Sequence, residues 1–391
     1  MELQRAAHAL PTRPKRRLPL RVLPAMDLPF LVLVLTLVGF GLVMLCSASS
    51  AVALYRRGDA FAYARPQVLY AALGIFAMWV ASRVDYHVYH KLAWPLLALS
   101  LVLLVIVLFM PEYNGCKRWL VLPGLGTLQP SEIAKFAVVL VFSHIISLNH
   151  DRMGSFAVGV VPFALVLGAV AVLMLLEPHL SGTVLILCTG AVLMIVGGIQ
   201  GWLVAAGIGG VGAIGLLFVK LAESGVIKYG SARIAMWHDP WLDYSGDGYQ
   251  LAQSLITIGS GGLLGVGLGR SRQKFLYLPE QYNDFIFSVV CEELGLIGAC
   301  VIMLIFALLI LRGFWIALHA RDRFGALLVV GIMTHLALQT FLNIAVVSGF
   351  VPTTGISLPF FSYGGTALCL QLVEMGMVLS VSRQIPAPKA G

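Results

Sequence analysis

The sequence predicts an all-α integral membrane protein of about ten transmembrane helices, with a large extracytoplasmic loop between helices 7 and 8. Three observations carry this. Hydrophobic residues make up 59% of the 391 and charged residues 11%, with a mean hydropathy of +0.92, whereas soluble globules run roughly 45–50% and 25%. Ten segments approach the roughly 20 apolar residues that a helix needs to cross a bilayer. A membrane barrel would instead show short alternating strands, and no such alternation runs through the chain.

Taken in order, residues 1–27 form a basic tail in which Arg5, Arg13, Lys15, Arg16, Arg17 and Arg21 precede the first span. The positive-inside rule places this tail in the cytoplasm. A single membrane domain, residues 28–382, then offers the spans Leu28–Cys46, Pro66–Ser82, Leu92–Met110, Ser131–Leu148, Phe156–Leu176, Leu180–Ile199, Trp202–Phe218, Asp284–Leu311, Phe324–Phe350 and Gly364–Ser382. Ten crossings return the tail 383–391 to the cytoplasm. In that orientation the inner segments hold 14 Lys and Arg against 5 in the short outer loops. The 219–283 loop is long enough to be exempt from the rule. The first span exceeds a signal-peptide core and reads as an uncleaved signal-anchor.

The net charge of +8 is scattered along membrane flanks, where it meets anionic lipid headgroups. No aromatic-interleaved basic stripe suggests nucleic acid. Five cysteines lie within spans and only Cys116 in an outer loop, which leaves neither a disulfide framework nor zinc-ligand spacing.

Candidate chemistry gathers on the outer side. Asp284 stands where a polar loop meets a charge-poor helix; it reads as a partly desolvated base or as a helix N-cap. The glycines of Gly259–Gly269, followed by Arg270, Arg272 and Lys274, read as a phosphate cradle or as turns and close helix contacts. Mixed aromatic and polar residues earlier in the same loop suggest helices lying in the interface. Lys117, Arg118 and Trp119 combine two phosphate-capable cations with an interfacial aromatic, or read as an ordinary headgroup anchor. Glu132 and Lys135, at i and i+3 after Pro130, can pair on one helix face. Glu292 and Glu293 sit inside a span and need partners. His335, Gln339 and Asn343 form a polar stripe, read as interhelical hydrogen bonding or as a proton relay.

Several motifs together resemble one family: Asn114-Gly-Cys-Lys-Arg-Trp119, Gln129-Pro-Ser-Glu-Ile-Ala-Lys135, Gly246-Asp-Gly-Tyr-Gln-Leu-Ala-Gln-Ser254, Gly265-Val-Gly-Leu-Gly-Arg-Ser-Arg-Gln273, Leu278-Pro-Glu-Gln-Tyr-Asn-Asp-Phe-Ile-Phe287, Glu292-Glu-Leu-Gly295 and Leu358-Pro-Phe-Phe-Ser-Tyr-Gly-Gly365. In this order they resemble the SEDS proteins of bacterial shape, elongation, division and sporulation. The resemblance implies a ten-helix glycosyltransferase of the bacterial cytoplasmic membrane. It would polymerise lipid II on the outer face beside a class B penicillin-binding transpeptidase and other division, elongation or sporulation proteins. It also implies that Asp284 is the essential acid, that Glu132 and Lys135 are a buried charged pair, and that Arg118 and Trp119 form the Arg-Trp motif. Glu177-Pro-His-Leu-Ser-Gly-Thr183 is closest to the division and sporulation branches. Tyr282-Asn283 depart from the usual His-Thr, which puts the hydrogen bonding of Asp284 in question, and Cys116 replaces a small residue.

The chemistry expected from these residues is an inverting transfer. Because lipid II already carries a pyrophosphate leaving group, one base suffices. Asp284 would deprotonate the acceptor's 4-hydroxyl while cations drawn from Lys117, Arg118, Arg233, Arg270 and Lys274 steady the donor pyrophosphate. A divalent cation, Mg or Mn, would serve the same end, but no ligand cluster in the sequence settles this. Two alternatives are a lipid II flippase, which would need an equally polar inner vestibule, and a non-catalytic scaffold for a transpeptidase.

Overall fold

The computed structural model describes residues 26–111, 117–122, 126–177, 179–203, 207, 209, 237–246 and 248–385. Helix α1 (Leu28–Arg57) starts at Asp27, whose carboxylate accepts the Phe30 amide at 2.9 Å, and stops at Gly58 in the left-handed region, φ 69°. Both ends follow the usual capping preferences. Helices α2 (Ala64–Arg83) and α3 (His87–Leu108) follow. A short antiparallel hairpin, β1 (Leu120–Leu122) and β2 (Gly126–Leu128), leads into α4 (Pro130–Asn149), with Pro130 in its first turn. The next span is interrupted at Val160, giving α5 (Phe156–Gly159) and α6 (Val161–Leu176), and α7 (Leu180–Val196) follows. Beyond the expected seventh span, which lies largely outside the described residues as does Arg233, come α8 (Tyr249–Ser260), α9 (Ile286–Leu318), α10 (Arg323–Val347) and α11 (Gly365–Ser382).

Among the described residues eight helical segments are long and apolar enough to span a membrane. They are not equivalent. α4, α10 and α11 are 72%, 67% and 61% buried, whereas α3 and α9 are 28% buried, so α4, α10 and α11 form the centre and α3 and α9 face outward. The polar residues flagged by the sequence, Glu132 and Lys135 on α4 and His335, Gln339 and Asn343 on α10, therefore lie inside the bundle instead of meeting lipid. The outer helix α2 packs along α11, where Gly376 lies against the Met78 carbonyl with no room for a side chain, the close approach that small residues permit between membrane helices. At the N-terminal end of α1 Arg312 of α9 binds Asp27 at 2.8 Å and stacks over Trp315 at 4.1 Å.

Helix α9, 33 residues long, would reach about 50 Å if straight, well beyond a hydrocarbon core of about 30 Å. It is broken at Gly295, whose φ of 70° and ψ of −175° are not helical. The amides and carbonyls freed there are taken by the glycine-rich loop. Val266 and Gly267 donate to the carbonyls of Glu292 and Glu293 at 2.9 and 3.0 Å, while Leu296 and Ile297 donate to Gly262 and Leu263 at 2.9 and 3.2 Å. The glycines thus serve close backbone packing, and the Val266 and Gly267 amides of the expected phosphate cradle are engaged by the broken helix. α8, in the part of the loop where the sequence suggested interfacial helices, is held against the bundle. Its buried face packs on α9 and α10, with Ser254 donating to the Val347 carbonyl at 2.6 Å. Residues 249–281 consequently form a re-entrant unit within the long loop.

Candidate active site

The Asp284 side chain does not cap α9, which begins after Phe285 without a side-chain cap. Its backbone is fixed instead. Asn343 donates to the carbonyls of Asp284 and Ile356, both at 2.7 Å. Ser362 donates to the Asn283 carbonyl at 2.7 Å, and the Tyr363 amide donates to the Tyr282 carbonyl at 2.9 Å. The 351–364 loop is thereby strapped over the acid. Gly355, at φ 70°, closes on the carboxylate so tightly that an added Cβ would stand 3.3 Å from Asp284 Oδ2. Gln339 holds the same loop through the Ser357 carbonyl at 3.0 Å. For Gln339 and Asn343 the polar stripe on α10 is therefore hydrogen-bonding glue. Asn283 does not reach Asp284 either; it binds Glu280 at 2.6 Å.

The half-buried Asp284 carboxyl is pushed up to about 7, first by burial and then by the nearby Glu280 charge, with Arg118 opposing. Desolvation raises a carboxyl's pKa and a cation lowers it. Arg118 is placed by its Nε–H bond to the Glu177 carbonyl at 3.0 Å, and the hairpin that carries it is pinned to α11 by Thr366 donating to the Thr127 carbonyl at 2.9 Å. Lys117 is exposed and Trp119 half-buried at the same edge.

Beneath lies a polar interior. Lys135 binds Glu132 at 2.7 Å, and both are largely buried. Lys135 is also within electrostatic reach of His179, His335 and Glu374. Burial pushes the Glu177 carboxyl up to about 8, against Arg118. His179 is pushed down to about 3 by burial and by the Arg118 and Lys135 charges. Glu177, His179 and Glu374 were not singled out as site residues from the sequence. The signal for Glu374 was present, since it is the one acid in the Gly364–Ser382 segment.

The single cationic cluster expected from the sequence divides in two, because the re-entrant unit carries Arg270 and Lys274 to the break in α9. Lys274 is buried there, bound to the Gly269 carbonyl at 2.7 Å and to Glu293 at 3.2 Å. Glu293 also accepts from Ser47 at 2.6 Å, and Glu292 accepts from the Ser271 hydroxyl and from the Arg272 amide at 3.0 Å. Both intramembrane acids are thus satisfied. Among the described residues no group of three His, Cys, Asp or Glu side chains is placed to hold a metal ion.

Residues 27–386 match the family model of FtsW, RodA and SpoVE, described as cell cycle proteins. The probable peptidoglycan glycosyltransferase FtsW of Geobacter metallireducens is 39% identical over 378 residues, covering 94% of this chain and 98% of that protein. Stage V sporulation protein E of Bacillus subtilis is 39% identical over 364 residues, 91% and 97% of the two chains. Among solved structures, a chain from a peptidoglycan synthase complex that coordinates polymerization and crosslinking superposes with a TM-score of 0.76 at 28% identity, covering 92% and 98%. The rod shape determining protein RodA of Thermus thermophilus gives 0.66 at 27%, covering 93% and 99%.

Proposed function

Because this chain belongs to the FtsW, RodA and SpoVE family, and is a multi-pass membrane peptidoglycan glycosyltransferase acting in division or sporulation, we propose that it polymerises lipid II with Asp284 as general base. The acceptor's 4-hydroxyl oxygen attacks the donor's anomeric carbon. The bond from that carbon to the pyrophosphate oxygen breaks, its electron pair leaves with the lipid pyrophosphate, and the hydroxyl proton passes to Asp284. Attack opposite the leaving group inverts the linkage.

The observation that carries this reading is the state of Asp284: uncapped, half-buried, pushed up to about 7 and faced by one arginine. A base of that strength is matched to proton transfer near neutral pH. Arg118 steadies the donor pyrophosphate, with Lys117 and Trp119 at the same edge. Glu132 and Lys135 hold the interior charge beneath it. The gathering of Asp27, Arg83, Arg312, Arg323 and Arg383 at the opposite end of the bundle supports an outward-facing site with both termini cytoplasmic. The similarity to a chain solved within a polymerization and crosslinking complex supports a class B penicillin-binding transpeptidase as partner.

The test is strand synthesis from lipid II by purified protein in detergent micelles, where a flippase has no compartments to connect. Wild-type protein should form polymer, and Asp284→Asn should form none while remaining folded. Polymer from the variant at the wild-type rate would refute Asp284 as the base, and no polymer from either protein would favour the flippase or scaffold.

A further inference from the structure

The described cations near the site are held at opposite ends of one helical segment. Asp284 and Arg118 lie before Ile286, while Glu292 and Glu293, just before the break at Gly295, hold the strand Ser271–Lys274. At 1.5 Å per residue the run from Ile286 to Glu293 separates these ends by roughly 10 Å. Lys274, the Ser271 hydroxyl and the amides of Ser271 and Arg272 supply both glutamates. The guanidinium groups of Arg270 and Arg272 are left over. Both side chains are exposed, and among the described residues neither guanidinium makes a hydrogen bond or ion pair. The loop presenting them is fixed by its four backbone bonds to the broken helix. Beside them Leu263, Leu264, Leu268 and Phe275 turn outward, Leu264 being 81% exposed. Such a surface suits lipid, and a guanidinium set in it calls for an anion.

The polymerisation proposed above, on which this inference rests, needs a second anion site at some distance from the first. In the donor, the pyrophosphate is bonded to the reacting carbon and therefore lies beside Asp284 and Arg118. In the acceptor, the pyrophosphate and the reacting 4-hydroxyl stand at opposite ends of a disaccharide. The two pyrophosphates are thus two sugar rings apart when the bond forms. We propose that Arg270 and Arg272 bind the pyrophosphate of the acceptor, whose polyisoprenyl chain runs along the apolar surface of the loop while its 4-hydroxyl reaches Asp284.

Two substrates that cannot exchange roles separate the sites. A lipid-linked disaccharide methylated at the 4-hydroxyl can only donate; one whose anomeric oxygen is replaced by methylene can only accept. In phosphatidylcholine nanodiscs, Arg270→Ala/Arg272→Ala should raise the half-saturating acceptor concentration about tenfold, as for loss of one charge-assisted contact. The donor value should not move, and Arg270→Lys/Arg272→Lys should recover part of the loss. Equilibrium binding of the acceptor-only compound, measured without donor, should weaken in parallel. A raised donor value, or acceptor values unchanged in both assays, would overturn the proposal. Displacement of the acceptor-only compound by equimolar phosphatidylglycerol would also overturn it, making the arginines a general lipid anchor. If wild-type protein binds that compound through these arginines yet forms no product, the polymerase reading fails and the lipid-pyrophosphate site stands.

Discussion

Asp284 ties its environment to a measurable pH dependence. Its carboxyl is raised from the ordinary 3.8 to about 7, so the base form grows as pH rises through about 7, and polymerisation at saturating lipid II should climb there to a plateau. Stability moves the other way. Between 3.8 and about 7 the folded chain holds more protons at this site than the unfolded chain, so the site's contribution is greatest at low pH and is lost as pH rises through the folded value. Asp284→Asn should remove that slope from the melting temperature, and an unchanged slope would assign it to another group such as Glu177. Glu132 and Lys135 make a second residue-scale case. With the ion pair at 2.7 Å and largely buried, removing either partner strands a charge. In a thermal double-mutant cycle, Glu132→Gln with Lys135→Met should be less harmful than the sum by about 0.5–3 kcal/mol. Strict additivity would mean that the pair does not form in the membrane.

At the scale of elements, the break in α9 and the re-entrant loop stabilise each other. Gly295 adopts a positive φ and lies against the backbone of Leu263, Leu264 and Gly265, with no space for a methyl group. Gly295→Ala should therefore destabilise by about 3 kcal/mol or more. It should also speed amide exchange at Val266, Gly267, Leu296 and Ile297, the four donors of the junction. Exchange unchanged at those amides would show that the loop is held by the Glu292–Ser271 and Glu293–Lys274 contacts alone. The sequence carried the glycines and both glutamates but not their connection, because a glycine run is equally compatible with a phosphate cradle and a close backbone contact. Only the hydrogen-bond partners of the amides distinguish the two.

For the molecule as a whole, the proposed orientation is open to a direct test. Arg83, Arg323 and Arg383 lie at helix ends near Asp27 and its ion-pair partner Arg312, and Asp284 lies at the other end. In intact cells with the native cysteines replaced, a cysteine at Gly58 should react with an impermeant maleimide from outside, and one at Ala320 only after permeabilisation. The reverse pattern would place Asp284 on the cytoplasmic side and remove the basis for extracellular polymerisation.

Apolar run length and basic flanks determined, from sequence alone, an all-α membrane protein, because a span must satisfy its own backbone and exceed a minimum length wherever it packs. The chemistry-bearing residues were legible as types: an acid at a helix mouth, cations beside glycines, a charged pair one turn apart. Tertiary structure decided which of them meet. Asn343 and Gly355, 59 and 71 positions beyond Asp284, hold and enclose it, while Lys274, ten positions before it, is spent on Glu293. Burial, the main influence on the carboxyl of Asp284, is likewise set by elements distant in the chain. Sequence neighbours along a re-entrant loop part company in space, and no local pattern records where the chain turns back.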